Sequence, residues 1–152
     1  MKLAEALVLR ADYQKRIDQL KQRLVMVARV QEGERPAEDP QALLAELDRV
    51  VDELTRLIQR INRTNAATEL DPGLTLSDAL AVRDTLGLRY SAYRELAQRA
   101  TITQDRYTRS EVRFQSAVNV ADLQQRADQF AQQRRDLDTR IQAANWTVDV
   151  IE

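Results

Sequence analysis

The chain has 152 residues, of which 31% are charged and 43% hydrophobic, and its formal net charge is −1. It contains no histidine and no cysteine, which removes the commonest general base, the commonest transition-metal ligand, disulfides and thiol nucleophiles together. Three glycines and three prolines are too few for a turn-rich all-β fold, and the near-neutral charge supplies no global field for nucleic acid or anionic lipid.

The length suits a single domain spanning residues 1–152. Helix one is expected from the N-terminus to about Ala28, with Leu3, Ala6, Leu7, Tyr13, Ile17, Leu20, Leu24 and Val27 as its apolar stripe. Glu5 would interrupt the apolar core of any signal peptide there, and no run approaches the ~20 apolar residues that cross a bilayer. A cytoplasmic protein with no membrane partner is the expectation. Val30 to Asp39 has no apolar periodicity and contains Gly33 and Pro36, so it reads as a loop.

The clearest helix runs from Asp39 to Asn65. Leu43, Leu47, Val50, Leu54, Leu57 and Ile61 alternate in steps of four and three, the spacing of a seam that faces another helix. Leu44, Val51 and Ile58 widen the stripe, which suits a bundle core better than a two-stranded zipper. Asp39 is its cap, and Pro40 at the first helical position loses no hydrogen bond. Asp71-Pro72-Gly73 then signals a turn. Helix three begins near Thr75 or Ser77 and carries Ala79, Val82, Leu86, Tyr90, Tyr93, Ala97 and Ala100, with Gly87 weakening its middle by about 1 kcal/mol.

After Ala100 the texture changes to β-branched and aromatic residues. Val112, Phe114, Ser116 and Val118 alternate at period two, so residues 101–118 read as a β-hairpin or extended arm with its turn near Asp105-Arg106. An irregular loop of similar length is the alternative. Asn119 caps helix four, whose stripe is Leu123, Ala127, Phe130, Leu137, Ile141 and Ala144.

The halves resemble each other. Leu3 to Arg10 aligns with Leu76 to Arg83, and helices two and four align from the caps Asp39 and Asn119 to Asn65 and Asn145. Each half is a helical hairpin with one apolar face. The expected fold is therefore mainly α: an antiparallel four-helix bundle of two duplicated hairpins, 1–68 and 75–146, with the arm between helices three and four. Arg134 breaks the seam, standing where Leu54 stands in the first half. It either snorkels outward or pairs with an acid elsewhere.

Chemistry is sparse. The Glu-x-x-His motif of bundle metal sites is impossible, and the acidic loop Glu32, Glu34, Glu38 and Asp39 lacks EF-hand spacing. Neither a metal nor a cofactor is expected, and no catalytic motif marks an enzyme. Two features stand above that background. One is the polar cluster Asn62, Arg63, Thr64 and Asn65 with its counterpart Asn145 and Trp146, which Arg10 and Arg83 are placed to join. Asparagines at helix ends ordinarily cap, and a polar ligand or a subunit contact is the alternative. The other is the arm, where Arg106, Arg109 and Arg113 interleave with Tyr107 and Phe114. Asp105 and Glu111 reduce its charge to about +1, too weak for a nucleic-acid footprint. Residues 31–54 carry eight acids and two arginines, a net of −6, so the remainder sums to +5. Opposed patches of that kind favour docking between copies.

Several stretches also carry a family resemblance. Arg29 to Glu34, Pro36 to Pro40, Ile61 to Thr68, Thr108 to Glu111 and Ala144-Asn145-Trp146 resemble the septicolysin-like family, small and mostly bacterial proteins of no established biochemical function. The resemblance spans nearly the whole chain, with Asn62-Arg63-Thr64-Asn65 as its most specific part. The family name implies a thiol-activated pore-forming toxin, whereas this sequence has no thiol. The resulting expectation is a cytoplasmic, homo-oligomeric helical protein with a structural or interaction role, its arm residues Arg106, Tyr107, Arg109, Glu111, Arg113 and Phe114 making contacts. The alternative is a small polar ligand-binding or regulatory module that uses the asparagine-rich helix ends.

Overall fold

A computed structural model describes residues 1–102 and 112–152. The chain is mainly α, with α1 over Leu3–Met26, α2 over Pro40–Ala67, α3 over Leu76–Ala100 and α4 over Val120–Thr147. Three of the starts follow from their caps. Asp39 accepts a hydrogen bond from the Gln41 amide at 3.0 Å with proline in the first turn, and Asn119 accepts one from the Asp122 amide at 3.1 Å. Thr75 and Asp78 form a reciprocal capping box, which selects Thr75 over Ser77 as the start of α3.

The chain divides into two compact units, Met1–Glu69 with Gln142–Glu152, and Leu70–Ile141. In the first, α1 and α2 pack antiparallel, as the ion pairs Arg16–Glu46 and Arg23–Glu38 record. Leu20, Val27, Leu43 and Val50 form the buried core of this hairpin, with Tyr13, Ile17, Leu24 and Leu47 packed around it. Residues after α4 complete the unit. The Leu3 amide donates to the Val148 carbonyl and the Val150 amide to the Met1 carbonyl, both at 2.9 Å. Lys2 Nζ lies 2.9 Å from the Asp149 carboxylate and 3.0 Å from the Thr147 carbonyl.

In the second unit, α3 and α4 run antiparallel. Arg83 meets Asp138, and Tyr93 meets both Phe130, edge to face at 5.1 Å between ring centroids, and Arg126, whose guanidinium lies over the ring at 4.7 Å. Leu76 and Ala79 are fully buried at the start of α3.

A small antiparallel sheet lies between α2 and α3, with β1 over Glu69–Asp71 and β2 over Leu74–Thr75. Pro72 and Gly73 turn the chain between them, and Gly73 has φ +79°, the left-handed conformation that glycine adopts at this turn position. The period-two pattern at 101–118 had suggested strands elsewhere. Its described part, residues 101–102 and 112–118, has no strand, and the expected turn at Asp105-Arg106 lies outside the described residues. The physical reason is local competition. Thr101 turns back to donate its hydroxyl to the Ala97 carbonyl at 2.8 Å, and the Ser116 hydroxyl donates to the Val118 carbonyl at 2.7 Å.

The ion pairs set how stability varies with pH. Hydrogen bonds from Arg23, Arg16, Arg140 and Lys2 are the main causes that hold Glu38, Glu46, Asp71 and Asp149 below their ordinary carboxylate values. Groups lowered on folding contribute stability above the unfolded carboxylate range and lose it as pH falls through their folded values. Tyr13 behaves oppositely. Burial first, then hydrogen bonding to Glu53, raises its phenol above 10.0, so its contribution is present below 10.0 and lost as pH rises through the raised value. Thermal melts across the pH range should therefore show a plateau with declines at both ends. Tyr13→Phe should blunt the alkaline decline alone, and a melting temperature independent of pH would contradict these assignments.

Candidate functional site

An open, largely apolar groove lies where α3 ends and α4 has yet to begin. Thr101 closes α3, its amide and its hydroxyl both bonded to the Ala97 carbonyl at 3.2 and 2.8 Å. Ser116 bonds within its own turn to Val118, immediately before the Asn119 cap. These two local closures hold the walls of a groove of about 470 Å³. Leu96, Ala100 and Ile102 line one wall, and Phe114, Ala117 and Val118 line the other. Phe114 is 79% exposed, and Leu96 and Ile102 are nearly half exposed. Arg99 lies in the lining, and Arg113, which precedes Phe114 in the chain, is exposed.

Of the residues expected in the arm, Phe114 lines this groove and Arg113 is exposed, while Arg106, Tyr107, Arg109 and Glu111 lie outside the described residues. Leu96 and Ile102 were not singled out by sequence. The signal was there, because Leu96 falls off the stripe of α3, one residue from Ala97, which is only 2% exposed. An apolar residue beside the seam rather than on it marks a second face.

The asparagine-rich helix ends, residues 62–65 and 145–146, belong to the first unit. Asn62 and Arg63 are exposed, Asn65 is half-buried, Asn145 is buried and Trp146 is 64% exposed. Thr64 is fully buried and its hydroxyl is committed, donating to the Arg60 carbonyl at 2.8 Å and accepting from the Ile151 amide at 3.0 Å. Arg60 Nε in turn reaches the Ile151 carbonyl at 3.1 Å. Arg10, half-buried on α1, belongs to the same unit as these residues, whereas Arg83 belongs to the other, where it bonds Asp84 and Asp138. Among the described residues, no three side chains of metal-binding type gather, and no helix is long and apolar enough to cross a membrane.

This geometry defines a mainly α protein built on two antiparallel helical pairs, with an apolar groove at one helix end. The sequence pattern of a family of unknown function, DUF6847, matches residues 10–150, and the chain belongs to that family. It is 43% identical to a functionally unknown conserved protein from Corynebacterium diphtheriae, over 99% of each chain, and that crystal structure superposes with a TM-score of 0.91. No curated protein matches the chain. The family shown is thus a small uncharacterised one, as the resemblance implied, but nothing in these comparisons supports the septicolysin-like assignment.

Proposed function

We propose that the protein is an interaction module that associates with itself, the groove beside Phe114 receiving the outer face of α2 from a second copy. The observation that carries this reading is the exposure of Phe114 at the mouth of an apolar groove. Fully burying such a side chain is worth about 1.5–3 kcal/mol, so a phenylalanine exposed to water on an apolar wall favours an occupant. The outer face of α2 has matching chemistry. Leu44 and Val51 are each 40% exposed on it, bordered by the exposed carboxylates of Asp48 and Asp52. Arg99 in the groove lining and exposed Arg113, next to Phe114 in the chain, carry the opposite charge, so apolar surface meets apolar surface while the rims attract.

Duplication of an ancestral hairpin supports the same reading. Leu3 and Leu76, Ala6 and Ala79, and Ile61 and Ile141 occupy matching positions and are each no more than 2% exposed. A chain made from two copies of a pairing unit inherits surfaces suited to further pairing.

Light scattering coupled to size exclusion tests the proposal. The wild-type chain should form a discrete multimer, and Phe114→Glu should shift it to a smaller species. Asp48→Lys with Asp52→Lys should do the same, and Arg99→Glu with Arg113→Glu should restore association to that charge-reversed chain. A wild-type monomer at high concentration, or a multimer indifferent to Phe114→Glu, would sink the reading.

A further inference from the structure

A second cavity, of about 340 Å³, opens between α3 and α4 and is lined by Arg83, Arg134, Arg135 and Asp138. Its volume falls at the lower end of small-ligand pockets. Arg83 is pinned at its wall, Nη1 lying 3.0 Å from Asp138 and Nη2 3.1 Å from Asp84. Arg134 and Arg135 have no ion-pair partner among the described residues. The Arg134 side chain is exposed and crosses α3 at Gly87, where an added Cβ would stand 3.3 Å from its Nε.

Three departures from the folding pattern coincide here. In the register that aligns α2 with α4, Leu54 and Ile58 occupy the positions of Arg134 and Asp138. The apolar pair serves the hairpin of α1 and α2, so the fold itself does not require charges at these positions. Opposite them stands a mid-helix glycine, which costs about 1 kcal/mol relative to alanine. Local rules broken together, around a cavity, mark function more often than packing.

We propose that this notch binds the phosphate group of a phosphorylated small molecule. Arg134 and Arg135 supply two free guanidinium forks, whose planar donors match phosphate oxygens. Asp138, already oriented by Arg83, accepts a hydrogen bond from a hydroxyl or amine on the same ligand. An extended polyanion fits poorly, because Asp84 and Asp138, both bonded to Arg83, stand beside the arginines and repel a long phosphate backbone.

Calorimetric titration of the full chain with pyrophosphate, at ionic strength held constant with chloride, tests this. One saturable site per chain is expected. Arg134→Gln or Arg135→Gln should each weaken it about tenfold, the effect of losing one charge-assisted contact. Arg56→Gln, at an exposed arginine of α2, should leave it unchanged. Gly87→Met keeps every charge but crowds the Arg134 side chain out of its place across α3, and it should weaken binding as strongly as Arg134→Gln. Absence of saturable binding, equal weakening by Arg56→Gln, or undiminished binding in the arginine variants or in Gly87→Met would each overturn the assignment.

Discussion

Leu20→Ala is expected to lower the unfolding free energy by about 3–4 kcal/mol, and the melting temperature by roughly 6–12 °C for a chain of this size. Leu20 is fully buried in the C-terminal half of α1, in one cluster with Val27, Leu43 and Val50. Removing its side chain loses the transfer energy of the deleted carbons and leaves a void that two long helices cannot close without bending. The magnitude is a consequence of position. Leu44→Ala deletes the same atoms from a side chain that is already 40% exposed, and should cost less than about 1 kcal/mol. Denaturant melts of the two variants side by side check the claim. Equal losses would mean that α1 and α2 do not meet along the Leu20 seam.

That seam was legible because burial in a helical pair repeats at a period the sequence displays. Leu43, Val50, Leu57 and Ile61 are all buried on α2, and Asp39, Thr75 and Asn119 cap the helices for which their side chains suit them. Capping is a contact between near neighbours, so it survives without knowledge of the rest of the fold. The strands were harder. Glu69–Asp71 and Leu74–Thr75 are too short to show an alternation, and only the turn between them is encoded strongly. The pairing of Met1–Leu3 with Val148–Val150 depends on residues nearly a whole chain apart, which no local pattern reports. The candidate sites divide in the same way. Phe114 stood out by composition, whereas the cavity beside Arg134 needed a contact between α3 and α4, since neither Gly87 nor the two arginines mean much alone.

Thr64 shows how a residue chosen for its polarity can have a structural use. Thr64→Val preserves its shape but removes the hydroxyl that joins α2 to the chain after α4, and should cost about 1–2 kcal/mol. The hydroxyl both donates to Arg60 within α2 and accepts from the Ile151 amide, so its loss strips a partner from a main-chain donor. Hydrogen exchange gives a readout specific to that bond. The Ile151 amide should exchange faster in Thr64→Val and remain slow in Thr64→Ser, even though serine also loses a buried methyl. A surface for a ligand or a subunit predicts the reverse hierarchy, with exchange at Ile151 unchanged and only binding affected. The full burial of Thr64 favours the structural role on physical grounds, because a hydroxyl with no solvent-facing surface, its proton already donated, is out of a newcomer's reach.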